Sequence, residues 1–240
     1  MQVIADVVAA LDSFLWGLPL ILLLFGTHLF LTIRLRFPQR HIFKAIKLSF
    51  SRDAGAEGDV SQFGALTTAL AATIGTGNIV GVATAVALGG PGAVLWLWLT
   101  GVFGISTKYA EGLLAVKYRI KTPSGDMAGG PMYVLERGLG WRWMGILFAV
   151  FTAVAAFGIG CMVQANSISA LALSAFQIPG WVTGLLLAIL TAVVILGGIK
   201  SIARVCGVLV PFMALTYILG CLYILVLHYQ TLPATIALIV

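Results

Sequence analysis

Between residues 73 and 78 the chain reads Thr-Ile-Gly-Thr-Gly-Asn, in the middle of an apolar stretch covering residues 62–90. Glycine, β-branched threonine and asparagine all weaken a helix, through backbone entropy, lost side-chain freedom and competing hydrogen bonds. A helix broken there leaves unpaired carbonyls at the end of its first half and unpaired N–H groups at the start of its second. Such ends meet a cation and an anionic group respectively without any charged side chain. Asn78 adds a neutral amide that needs a partner at membrane depth. The chemistry on offer is recognition of a zwitterion together with a cation that accepts neutral oxygens, such as Na⁺. Gly77-x-x-x-Gly81 is also a small-xxx-small helix-packing pattern, and the glycines alone fit that role as well. The string approaches a dinucleotide fingerprint, but residue 80 is Val and no strand precedes it.

Bond-making chemistry has little to work with. The sequence holds no HExxH and no acidic cluster. His28 and His228 are far apart in sequence, and His41 belongs to a basic segment. Cys161, Cys206 and Cys221 sit in apolar spans without CxxC spacing, which suits packing residues rather than a disulfide framework or a zinc site. Within the apolar spans the acidic side chain is Glu111, three residues from Lys108, where a structural ion pair is expected. Neither an enzyme nor a carboxylate-driven proton relay follows.

The elements that position these residues are membrane spans. The chain is 60% hydrophobic and 9% charged, against roughly 25% charged in soluble domains. A crossing needs about 20 apolar residues, and six stretches qualify: residues 14–33, 62–90, 91–115, 143–172, 181–199 and 205–228. The first has Asp6 and Asp12 before it and no Lys or Arg, so it reads as a retained span rather than a cleaved signal. The second, at 29 residues, would run ~43 Å as a straight helix against about 30 Å of hydrocarbon. The expected class is therefore an all-α integral membrane protein with a discontinuous helix at 62–90.

The net charge of +6 does not point to nucleic acid, because of where the charge lies. Arg34, Arg36, Arg40, Lys44, Lys47 and Arg52 follow the first span. Lys117, Arg119, Lys121, Arg137 and Arg142 follow the third, and Lys200 and Arg204 follow the fifth. Six crossings put all three clusters on one face, which the positive-inside rule makes cytoplasmic. Both ends of the chain are then expected outside. Trp16, Trp96 and Trp181 fall at outer ends of spans and Trp141 and Trp143 at an inner one, as interfacial belts require. Residues 38–50 set Ile42, Phe43, Ile46 and Phe50 against Arg40, Lys44 and Lys47 at helical spacing. They form either an interfacial helix or an ordinary basic loop.

The stretch Gly89-Gly90-Pro91-Gly92-Ala93-Val94-Leu95-Trp96-Leu97-Trp98-Leu99-Thr100-Gly101 closely resembles the hallmark segment of the alanine or glycine:cation symporter (sodium:alanine symporter) family. Leu95 and Leu97 replace the usual Phe and Met, and Gly101 stands where another small residue is commoner. GTGNIVGVATAVALGG (75–90), GGPMYVLERGLG (129–140) and GIGCMVQANSIS (158–169) are similar to further family motifs, in the expected order over about 62–230.

The resemblance implies a leucine-transporter-type fold: an extra leading helix at 14–33, then spans two to six as the first five-helix inverted repeat. The second repeat would be missing after residue 240. It implies sodium-coupled symport of small neutral amino acids such as alanine or glycine, in the plasma membrane of a bacterial cell. Carried over by position, the N–H groups of Thr76 and Gly77, in the unwound run from Gly75 to Asn78, meet the substrate carboxylate. Thr73 and Asn78 match one sodium site, and the carbonyls of Ala71 and Ile74 match part of another. Gln164, following Gly158 and Gly160, is the candidate side chain for substrate recognition, and an interhelical hydrogen bond is the alternative. A non-transporting membrane partner or sensor built on the same half-fold is the competing function.

Overall fold

A computed structural model describes residues 2–51 and 58–239, so Arg52 of the first basic cluster lies outside the described residues. The chain is almost wholly helical, as the composition requires. α1 (Gln2–Leu15) and α2 (Leu18–Arg34) follow one another across Trp16–Gly17, with a proline in the first turn of α2. Together they make an apolar run over Ala5–Arg34, longer at its N-terminal end than the 14–33 expected. A 3₁₀ turn (Pro38–His41) leads into α3 (Ile42–Ser49). Residues 38–50 are thus mostly helical rather than an open loop, and Ile42, Phe43, Ile46 and Phe50 are exposed along them.

α4 (Gln62–Thr73) starts at Ser61, whose Oγ accepts the Gly64 N–H at 3.1 Å. After a break comes a π-helical turn, Gly77–Gly81, and α5 (Val82–Gly89). The two halves meet at 54°. Gly90, at φ 72°, turns the chain into α6 (Ala93–Lys117). A short hairpin, β1 (Ile120–Lys121) against β2 (Met127–Ala128), is the one departure from helix among the described regular elements. α7 (Pro131–Gly138) precedes a run of 35 residues made of α8 (Arg142–Ala155), a second π-helical segment (Ala156–Met162) and α9 (Val163–Phe176). Gln177, in the left-handed region, ends it. α10 (Gly180–Leu196), α11 (Gly198–Leu227), a 3₁₀ turn (Tyr229–Thr231) and α12 (Leu232–Ile239) complete the chain.

By length and composition, three helices could cross a bilayer unaided: Ala5–Arg34, Arg142–Phe176 and Gly198–Leu227. The bent pair α4–α5 makes a fourth. α10 is shorter, at 17 residues. α6, at 25 residues, carries the Lys108–Glu111 ion pair at 2.9 Å near its end, as its spacing predicted.

The packing is that of a membrane protein. Large apolar side chains face outward, while the most enclosed side chains are Thr32, Thr67 and Ser106. The principal helix pairs are α4 with α11, α7 with α8 and α2 with α6. Where lipid surrounds the protein, contact between small residues replaces the hydrophobic drive. At the α4–α11 seam a Cβ on Gly64 would lie 3.5 Å from the Ala203 Cβ. At the α7–α8 seam a Cβ on Gly145 would lie 2.7 Å from the Met132 carbonyl oxygen, so the two helices require glycine there.

Candidate functional site

The break in the bent helix is stabilised by its own residues. Ile74 leaves α4 in an extended conformation (φ −83°, ψ 107°). The Gly75 N–H, which a continuing helix would give to the Ala71 carbonyl, donates instead to Asn78 Oδ1 at 3.2 Å. The Asn78 N–H returns to the Gly75 carbonyl at 3.1 Å. This small ring leaves the Ala71 carbonyl without its helical donor, and it carries the Ile74 carbonyl out of the helical ladder. On the other side, Gly77 opens the second half-helix with its N–H in the unpaired first turn, at the positive end of the helix dipole.

Gln164, just past the second π-helical segment, reaches this break from the neighbouring run. Its Oε1 accepts the Thr76 N–H at 3.3 Å. The approach is close: a Cβ on Gly75 would sit 3.1 Å from Gln164 Nε2 and 3.3 Å from its Oε1. A side chain at residue 75 would therefore press on the Gln164 amide and shift it slightly. A cleft of about 660 Å³, lined by Gly160, Cys161, Gln164, Ala165, Gly184 and Thr191, opens beside Gln164.

The sequence-derived candidates divide accordingly. Gly75, Thr76, Asn78 and Gln164 share hydrogen bonds at the break, and Gly77 adjoins them. The Thr73 hydroxyl does not turn toward them; it donates to the Ala69 carbonyl of its own helix at 2.8 Å. Ala71, Thr73, Gly77 and Asn78 are exposed, whereas Gly75, Thr76 and Gln164 are half-buried. The break is thus open on one side. Its oxygen donors are all neutral, a set suited to Na⁺. Among the described residues no group of His, Cys, Asp or Glu is placed to hold a metal ion.

Two features escaped the sequence reading. The π-helical segments Gly77–Gly81 and Ala156–Met162 flank the contact between Thr76 and Gln164, and such turns recur at functional sites. Gly158 and Gly160 were the available signal for the second. Asp59, ahead of the bent helix, accepts the Met127 N–H at 2.9 Å and so ties the start of that helix to the hairpin.

Comparison with known proteins agrees with the motifs. The model of the sodium:alanine symporter family matches residues 1–240. An uncharacterized transporter of Haemophilus influenzae is 53% identical over 239 residues, 99% of this chain and 52% of that protein. The sodium/alanine symporter AgcS of Methanococcus maripaludis is 55% identical over 230 residues, 93% of this chain and 51% of the relative. The chain spans about half the length of these curated relatives. With the family model matched from end to end, and with a membrane-type helical fold around a broken helix, the chain belongs to the sodium:alanine symporter family, a family of transporters and not of enzymes.

Proposed function

We propose that the chain is the N-terminal half of a sodium-coupled symporter for small neutral amino acids such as alanine or glycine. It would provide the leading helix and first repeat of a leucine-transporter-type fold. One observation carries this: the backbone freed at residues 71–77 offers carbonyls on one side and N–H donors on the other, with Gln164 against it. The substrate carboxylate takes the N–H groups of Thr76 and Gly77, displacing Gln164 Oε1 from the Thr76 N–H. Na⁺ takes neutral oxygens from Ala71, Thr73, Ile74 and Asn78. The Thr73 hydroxyl can serve only by turning an oxygen lone pair to the ion while it keeps its bond to Ala69. The family and the name of the Methanococcus relative support sodium and alanine as the transported pair. The open side of the break is where a second repeat would close the site.

Among the described residues no charged side chain hydrogen-bonds at the break, and burying an unpaired substrate charge there costs several kcal/mol. Membranes carrying the full-length protein should therefore take up alanine in a Na⁺-dependent way, with glycine or serine competing and glutamate and lysine not competing. Strong inhibition by glutamate or lysine, or uptake indifferent to Na⁺, would sink the proposal. Absence of any uptake would favour a non-transporting partner or sensor.

The positive-inside rule supports an orientation with the basic segments in the cytoplasm and the N-terminus outside. A single cysteine at Lys121 should resist an impermeant thiol reagent applied to intact cells, and one at Gln177 should react. Labelling at residue 121 would reverse the topology.

A further inference from the structure

Between α3 and the end of α6 lies a groove of about 400 Å³ that the transport reading does not use. Leu35, Ala45, Ile105 and Tyr109 give it apolar walls, and its ionisable lining includes His41 and Lys44 but no carboxylate. Arg34, Arg40 and Lys47, next in sequence to its lining residues Leu35, His41 and Leu48, are all exposed. Among the described residues none of these, nor Lys44, has a carboxylate within 4.0 Å.

The groove is built rather than incidental. Arg36 and Phe37 both adopt left-handed backbone, at φ 56° and 61°, which non-glycine residues rarely do. Such strain persists only where the surroundings enforce it. Here the Phe37 N–H donates to the Thr32 carbonyl at 2.8 Å. Gln39 Nε2 then reaches α6, donating to Ser106 Oγ at 2.9 Å and to the Val102 carbonyl at 3.0 Å. Thr32 Oγ1 donates to the same Ser106 Oγ at 2.8 Å, and both residues are fully enclosed. The turn therefore folds α3 back beside α6 at a fixed distance, leaving the groove between them.

We propose that this groove binds one anionic phospholipid. Its acyl chains lie along Leu35, Ala45 and Ile105, and its phosphate meets Lys44 and His41. Charge complementarity selects the occupant. An apolar slot whose basic side chains have no carboxylate partner among the described residues, beside a helix that exposes Ile42, Phe43 and Ile46, matches a lipid with a negative headgroup. A helix supplied by the rest of the protein would leave those cations unmatched unless it brought carboxylates.

Native mass spectrometry of the full-length protein, purified in detergent and offered phosphatidylglycerol or phosphatidylcholine, tests this. The unmodified protein should retain one phosphatidylglycerol at least tenfold better than phosphatidylcholine. Lys44→Glu, an exposed change that leaves packing alone, should reduce that retention about tenfold. Ala45→Trp, which fills the slot, should reduce it comparably, and Lys121→Glu, a basic site elsewhere, should not. Equal retention of the two lipids, an unaltered Lys44→Glu protein, an equal loss from Lys121→Glu, or displacement of the lipid by inorganic phosphate would each overturn the proposal. So would failure to retain phosphatidylglycerol at all, the result expected if another segment of the protein fills the groove.

Discussion

Replacing Asn78 with leucine is expected to raise the Na⁺ concentration for half-maximal alanine uptake by about 10- to 100-fold. Leucine is close to asparagine in size, so the change is mainly one of oxygen chemistry. Asn78 Oδ1 holds the Gly75 N–H, and through it the Ala71 carbonyl is kept free of the helix. Removing that acceptor leaves a donor unsatisfied at a cost of about 1–3 kcal/mol. It also invites Gly75 to reform the helical bond to Ala71, which withdraws a carbonyl from the proposed ion. A tenfold change in an equilibrium corresponds to about 1.4 kcal/mol, and the two losses act in the same direction. Asn78→Asp, which keeps the oxygen, should recover part of the Na⁺ response. The measurement is alanine uptake against Na⁺ concentration, with the amount of transporter in the membrane determined in parallel. Ordinary Na⁺ activation in the leucine variant would remove Asn78 from the ion site.

The second large effect is expected from Gln164→Glu. The glutamine oxygen already sits on the Thr76 N–H, one of the two donors proposed for the substrate carboxylate. A carboxylate there makes a stronger, charge-assisted bond to the same donor. It also sets a like charge against the incoming substrate at low local dielectric. Alanine uptake should fall more than 100-fold near neutral pH. Gln164→Leu removes the amide proposed to recognise the substrate without adding charge, and its KM for alanine should rise about 10-fold, in keeping with about 1.5–3 kcal/mol for a hydrogen bond to a charged group of the substrate. If Gln164 serves only to join two helices, both variants should lose protein from the membrane while the surviving molecules keep their KM. Near-normal KM in Gln164→Glu would therefore remove it from the substrate site.

The position of the break was legible because its cause is local. Gly75, Thr76, Gly77 and Asn78 disfavour helix wherever they stand, and a lone amide such as Gln164 on an apolar helix stands out against its neighbours. Family motifs added which backbone groups to watch. The contact between Gln164 and Thr76 could not be read from spacing, since it joins residues 88 apart in sequence. For the π-helical turn at Ala156–Met162 the signal was weak, since Gly158 and Gly160 suit an ordinary glycine-bearing helix equally well. Arg36 and Phe37 were equally silent, because their left-handed backbone is imposed by Gln39 and Thr32 rather than by their own chemistry. The N-terminal extension of the leading helix was missed for a simpler reason. Asp6 and Asp12 interrupt hydropathy, but neither breaks a helix.

The exchange of places between polar and apolar side chains has a thermal consequence. Unfolding a soluble protein wets apolar surface, and each Å² adds about 0.45 cal/mol/K of heat capacity, which bends the stability curve into a dome. In this chain many leucines, isoleucines and phenylalanines face outward, and the seams between helices hold Gly64, Ala203, Thr67, Thr32 and Ser106. Parting two of these helices within the bilayer wets almost nothing. Their association should accordingly vary nearly linearly with temperature, with no loss of strength in the cold, and its tightness is a matter of shape rather than of water.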